Sequence, residues 1–238
     1  MPPGTDDAVD NPLDAYGVSL FVAEIGIQCE MAGIATRQFA AAVNAPGAPT
    51  AERTIAVYLA VQSILTCAVK IRNVLWPTYQ KPRTLDPEIA AIQAGFTKGR
   101  GKQIRKELRV RRQYNVLQSV QVRNAYEHFD ERLDRLLQAD YGVFLDRNVG
   151  SISATWRVAE AGLSKDGGAI APEAKREVLR HVDPDAGRIY LGNDSWIDLR
   201  ELLGVMEALY KDVSKWMRAY QSIGRADRNE PGSAFRKT

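Results

Sequence analysis

The chain has 238 residues, 45% of them hydrophobic, and a net charge of +3, enough length and apolar content to bury a core without staples. Its two cysteines, Cys29 and Cys67, stand alone in apolar segments, which excludes a disulfide framework and a zinc site and fits a reducing, cytoplasmic setting.

Residues 1–12 are acidic and proline-rich, the opposite of a secretory signal, and read as a disordered lead. From Leu13 to Val43 the pattern is helical, with Leu20, Phe21, Ile25, Met31, Ile34 and Phe39 as apolar points, and Gly26 and Gly33 placed for close approach of a second helix. Glu24, Glu30 and Arg37 interrupt this segment, so no run reaches the roughly 20 apolar residues of a membrane span, and a soluble protein is expected. Thr50 caps a second helix that Ile55, Leu59, Val69 and Ile71 carry to Trp76, where Pro77 stops it. Asp86-Pro87-Glu88 opens a third. Gly95 to Gly101 reads as a basic, Gly-rich connection, but it lacks the Lys-Ser/Thr ending and the preceding strand of a phosphate loop. A long helix is then expected from Lys102 to Ala139.

After Tyr141 the periodicity changes. Ser151 to Val158 alternates loosely, Arg176 to Val182 and Arg188 to Leu191 read as strands around Asp-Pro-Asp-Ala-Gly, and Trp196-Ile197 adds a third, giving a small β-meander. Lys165 to Pro172 is a loop. Asp198 and Glu201 open a last amphipathic helix through Leu202, Val205, Leu209, Val213, Trp216 and Tyr220, whose aromatics read as core. From Ser222 a polar, disordered tail is expected. The fold class is mainly α: one antiparallel helical bundle over residues 13–221, with a β-rich insertion at about 150–198.

The chemistry concentrates in Arg123 to Leu133. At about 100° per residue, Val122, Ala125, Tyr126, Phe129, Leu133 and Leu136 form a core stripe, and Arg123, Asn124, Glu127 and His128 fall on the opposite half. Arg holds a phosphate through a fork of donors that never loses its charge, and His exchanges a proton near neutral pH. The same residues also fit an ion pair between Arg123 and Glu127 with His128 beside it. Arg176 and His181 repeat the spacing in an expected strand, where it carries no such meaning.

With Asn124 after the Arg, a helical setting and the continuation His-Phe-Asp-Glu-Arg-Leu, the segment resembles the HEPN superfamily. The resemblance covers the helical portion, roughly Leu13 to Tyr141. It implies an all-helical bundle and, in ribonuclease members, metal-independent RNA cleavage at a cleft formed by two protomers. Arg123 and His128 would be catalytic and Asn124 would hold the polar position after the Arg. No cofactor or metal is implied.

Lys98, Arg100, Lys102, Arg105, Lys106, Arg109, Arg111 and Arg112 stand against the single acid Glu107 just ahead of that motif. Such a block attracts phosphate backbones without regard to sequence, and Lys102, Arg105, Lys106, Arg109 and Arg112 are the candidate RNA contacts. Beside the plain alternative of a helical protein unrelated to the superfamily, two functions remain open. One is a HEPN-like endoribonuclease serving as a toxin or defence component, with an antitoxin as protein partner. The other is a non-catalytic HEPN-like module for a nucleotide or a protein, which the acids Glu127, Asp130, Glu131 and Asp134 favour. Val116, Leu117 and Val120 add an apolar patch on the motif face, from which a homodimer is expected.

Overall fold

The computed structural model describes residues 12–110, 114–118, 134, 138, 141–165, 175–192 and 195–229. The described chain is mostly helical: α1 (Ala15–Val43), α2 (Ala51–Leu75), α3 (Pro87–Glu107), α4 (Asn115–Gln118), α5 (Ile152–Lys165) and α6 (Leu199–Asn229). Four strands, β1 (Tyr141–Val149), β2 (Lys175–Asp183), β3 (Arg188–Tyr190) and β4 (Trp196–Asp198), form one sheet in that order. Contacts group the chain into two compact units, Met1–Glu30 with Lys70–Arg112 and Glu207–Thr238, and Met31–Val69 with Gln113–Met206.

The helix starts follow from their caps. Asp14 accepts the Gly17 N–H at 2.6 Å, Thr50 that of Arg53 at 3.1 Å, and Asp198 that of Glu201 at 2.9 Å. Asp86 takes the N–H groups of Glu88 and Ile89 with Pro87 in the first turn. Two helix ends are closed by arginines from elsewhere in the chain. Arg53 donates to the carbonyls of Ala42, Val43 and Gly47 after α1, and Arg105 donates to Leu75 at the end of α2.

In the first unit, Val18, Val22 and Ile25 of α1, Ile71 and Leu75 of α2, Ile104 of α3 and Leu209 and Val213 of α6 are buried. A Cβ at Gly26 would lie 3.1 Å from Val213, so this glycine does admit a neighbouring helix. At Gly33 the nearest described atom its Cβ would meet is Arg37 of the same helix, at 3.9 Å. The last helix continues to Asn229, past Ser222 where its apolar stripe gives out.

Two expectations about the middle of the chain are corrected. The glycines from Gly95 to Gly101 lie inside α3, not in a connection. Gly99 and Gly101 are there because the helix is buried at that point: a Cβ at Gly101 would run into the Pro77 ring and sit 3.0 Å from the Leu75 carbonyl oxygen. Nor does one helix run on from Lys102. It ends at Glu107 in a turn closed by Arg109 N–H to Lys106 O at 3.1 Å and Val110 N–H to Arg105 O at 2.9 Å, with Arg109 at φ +50°. Such a left-handed stop usually carries Gly, and with Arg in its place the sequence gives no sign of it.

In the second unit, β2, β3 and β4 are the expected antiparallel meander. Ahead of it stands a strand the periodicity did not reveal: β1 pairs with β2 in parallel and α5 makes the crossover. The loose alternation of Ser151 to Val158 is therefore the start of a helix. Ile152, Trp156, Ala159 and Leu163 also recur at helical spacing, and Asp183 accepts the Ile152 N–H at 3.3 Å at its first turn.

Helices α1 and α2 are long and apolar enough to cross a membrane by length and composition. The share of each apolar window buried inside the protein is 50% and 44%.

Gly95 and Gly101 should respond oppositely to alanine. Gly101→Ala overpacks the contact with Pro77 and should cost about 1–3 kcal/mol. Gly95 has no atom within 4 Å of its would-be Cβ, so Gly95→Ala should stabilise by about 1 kcal/mol through helix propensity. Thermal unfolding followed by circular dichroism reads both signs.

Candidate functional site

Arg123, Asn124 and His128 lie outside the described residues, as does Arg112. The remaining basic residues divide by environment. Lys98, Lys102, Lys106 and Arg109 are exposed and recur at helical spacing along one side of α3 and its terminal turn. Arg105 belongs elsewhere: its guanidinium caps α2 at Leu75, lies 5.8 Å from the Trp76 ring centroid, and is partly desolvated, which pulls its pKa down. Arg100 stacks on Phe21 at 4.4 Å, and burial lowers its pKa too. Of the apolar patch on the motif face, Leu117 is fully buried and Val116 half-buried, so neither is an open docking surface.

A concavity of about 320 Å³ lies in the second unit, between α2 and the sheet. Its α2 wall is Thr54, Ile55, Tyr58, Leu59, Val61, Gln62 and Leu65, and its sheet wall is Arg147, Arg180, Ile189 and Leu191. Ile55 and Leu59 remain 58% and 60% exposed. Tyr58 spans the two walls by donating its hydroxyl to the Asn148 carbonyl at 3.0 Å. Burial first, and the Asp146 charge second, raise its pKa well above the ordinary value, so it stays a donor.

The polar end of the cleft is a charge cluster. Arg180 grips Asp146 with two bonds, Nε to Oδ1 at 2.7 Å and Nη2 to Oδ2 at 2.8 Å, and Arg147 adds its Nε to Oδ2 at 3.1 Å. Among the described residues of the cluster, one carboxylate against two guanidiniums leaves an excess of one positive charge.

The ladder itself produces this cluster. Phe144 pairs with Glu177 and Leu145 with Val178, so an even register would set Asp146 beside Leu179. The register slips instead, pairing Asp146 with Arg180, and slips back so that Asn148 pairs with His181. Arg147 is the extra residue of the second slip, left without a partner on β2 and held at φ +55°. Bulges in parallel pairs are rare and tend to re-aim a side chain beside a functional site. Asp146, Arg147, Arg180 and Tyr58 were not among the residues singled out from the sequence, because a double slip leaves no periodic trace.

On the other side of β2, His181 is fully buried. Its Nε2 donates to the Gly150 carbonyl at 2.9 Å, while Nδ1 is buried with no hydrogen-bond partner. The ring meets Tyr190 at a centroid distance of 5.8 Å. Desolvation lowers its pKa from the ordinary 6.5, against smaller upward effects of the Gly150 bond and of Asp183. This is a neutral structural histidine. Among the described residues no group of three or more His, Cys, Asp or Glu side chains is placed to hold a metal ion.

No family model, curated protein or solved structure matches the chain. Its function has to be argued from its own residues.

The buried His181 makes stability depend on pH in a defined window. Above 6.5 the ring is neutral folded or unfolded; as pH falls below 6.5 the unfolded chain takes up the proton first, so stability is lost down to the lowered folded pKa. Denaturant melts between pH 7.5 and 5 should show this loss, and His181→Phe should flatten it. An unchanged slope would assign the loss to His128, the only other histidine.

Proposed function

We propose that the chain is a HEPN-like, metal-independent endoribonuclease of the cytoplasm, acting as a toxin or defence component. What carries this reading is the Arg123-Asn124 pair with His128 five residues after the Arg, in a segment with helical periodicity. The 2′-hydroxyl oxygen attacks the adjacent phosphorus, the bond to the 5′-oxygen breaks, and a 2′,3′-cyclic phosphate remains. His128 moves the proton, either from the 2′-hydroxyl or onto the leaving oxygen, a role worth about 10²–10⁴-fold. Arg123 stabilises the charge growing on the phosphate and Asn124 orients the imidazole or the phosphate.

The exposed row of Lys98, Lys102 and Lys106, followed by Arg109, supports RNA as the substrate. Arg105 is left out of that contact set because it closes α2. A second reading, a non-catalytic nucleotide- or protein-binding module, is favoured by the acids that follow the motif, of which Asp134 is exposed. A homodimer belongs to the first reading. Its contact would lie along the segment that carries Arg123 and His128, where Val120 lies outside the described residues and Leu117 is buried.

Mixed RNA incubated in EDTA decides between the readings. The wild type should cleave it, and Arg123→Ala and His128→Ala should each lose at least about 10²-fold in rate with melting temperatures close to wild type. A requirement for magnesium would sink the mechanism, and binding without cleavage would select the second reading.

The lysine row makes a separate prediction. Replacing Lys98, Lys102 and Lys106 by Gln should lower the slope of log K against log salt by about 0.7 per lost single-strand contact. Arg105→Gln should leave the slope alone and lower the melting temperature.

A further inference from the structure

We propose that the cleft between α2 and the sheet binds a small monocarboxylate with an unbranched aliphatic body, its head on Arg147 and its tail along α2. None of the described lining residues belongs to the RNA reading, and the proposal stands or falls independently of it.

The volume of about 320 Å³ lies at the lower end of the range of small-ligand sites, roughly 300–1,000 Å³. The walls specify the tail. Ile55, Leu59, Val61, Leu65, Ile189 and Leu191 are aliphatic, and Tyr58, the one aromatic among the described lining residues, spends its hydroxyl on Asn148. Such predominantly aliphatic walls suit a flexible chain that covers the exposed Ile55 and Leu59.

The charge cluster specifies the head. Among the described residues at that end, Asp146 cancels one of the two guanidinium charges, and the excess of one positive charge matches a carboxylate better than a phosphate dianion. Arg147 is the donor in position. It meets Asp146 through Nε, and its side chain stays 68% exposed. A planar guanidinium holds a carboxylate through two parallel bonds.

The backbone gives the second, independent observation. Arg147 sits at φ +55°, a conformation that is costly for a residue with a Cβ and that clusters at ligand clamps. Its side chain lines the cleft. A glycine there would close the same bulge without the strain.

The test is calorimetric titration of the whole protein with acetate, butanoate, hexanoate, octanoate, octan-1-ol and inorganic phosphate. Affinity should rise by about fourfold per methylene from butanoate until the cleft is full. Acetate, octan-1-ol and phosphate should all bind at least tenfold more weakly than octanoate. Arg147→Gln should weaken octanoate at least tenfold, and His128→Ala should not change it. Arg147→Gly should lose the ligand equally while melting at or above the wild-type temperature, which separates loss of the clamp from loss of the fold. Absence of octanoate binding, an affinity indifferent to chain length, phosphate binding tighter than octanoate, or an Arg147→Gln variant that binds like wild type would each overturn the proposal.

Discussion

The pairing of Asp146 with Arg180 is the constraint on which the second unit's architecture turns. In an even parallel ladder, Asp146 would face Leu179, which is 1% exposed and apolar. A carboxylate buried there without donors would cost several kcal/mol. Two compensating slips avoid this by setting Asp146 against a guanidinium that satisfies both of its oxygens. The pair is partly wet, with side chains 16% and 30% exposed, so its net worth is small while the cost of removing one partner is larger. The slips also have a local consequence: the residue they leave over is Arg147, and it lines the cleft.

The arginines show why counting charges along a chain says little about the field it presents. Arg53 and Arg105 close the ends of α1 and α2, Arg100 covers Phe21, Arg188 lies 4.1 Å from the Trp196 ring centroid, and Arg180 is held on Asp146. Each guanidinium satisfies helix-end carbonyls, a carboxylate or an aromatic face, and is spent structurally. Lysine lacks the planar fork for these tasks and stays on the surface, as Lys98, Lys102 and Lys106 do. A basic stretch of sequence therefore holds two populations, and burial separates them.

What was legible in the sequence was local. Thr50, Asp86 and Asp198 cap helices because a side-chain oxygen two or three residues ahead of an N–H needs nothing from the rest of the fold. The meander was legible because Pro184 to Gly187 is turn chemistry and the strands around it are short and apolar. The remainder depended on distant contacts. Gly101 reads as a loop residue until the ring of Pro77 is found against it, and Arg109 reads as helix until its left-handed φ is seen. The cleft was invisible for the same reason: α2 and β1 meet through Tyr58 and Asn148, ninety residues apart in the chain.

The repeated Arg, four residues, His spacing shows how far a motif depends on its backbone. In a strand the backbone makes no helical turn, so the spacing of Arg176 and His181 does not set them along one helix face. His181 is accordingly buried, its proton committed to the Gly150 carbonyl. In a helix the same five residues turn through about 140° and rise about 7.5 Å, which leaves the two groups flanking one polar half instead of opposing each other. In the proposed ribonuclease, the guanidinium and the imidazole would approach a phosphate from those flanks, with Asn124 four residues before His128 in the sequence. A reading that places chemistry on Arg123 and His128 therefore rests on the helical periodicity of the sequence around them, and not on the spacing that Arg176 and His181 share.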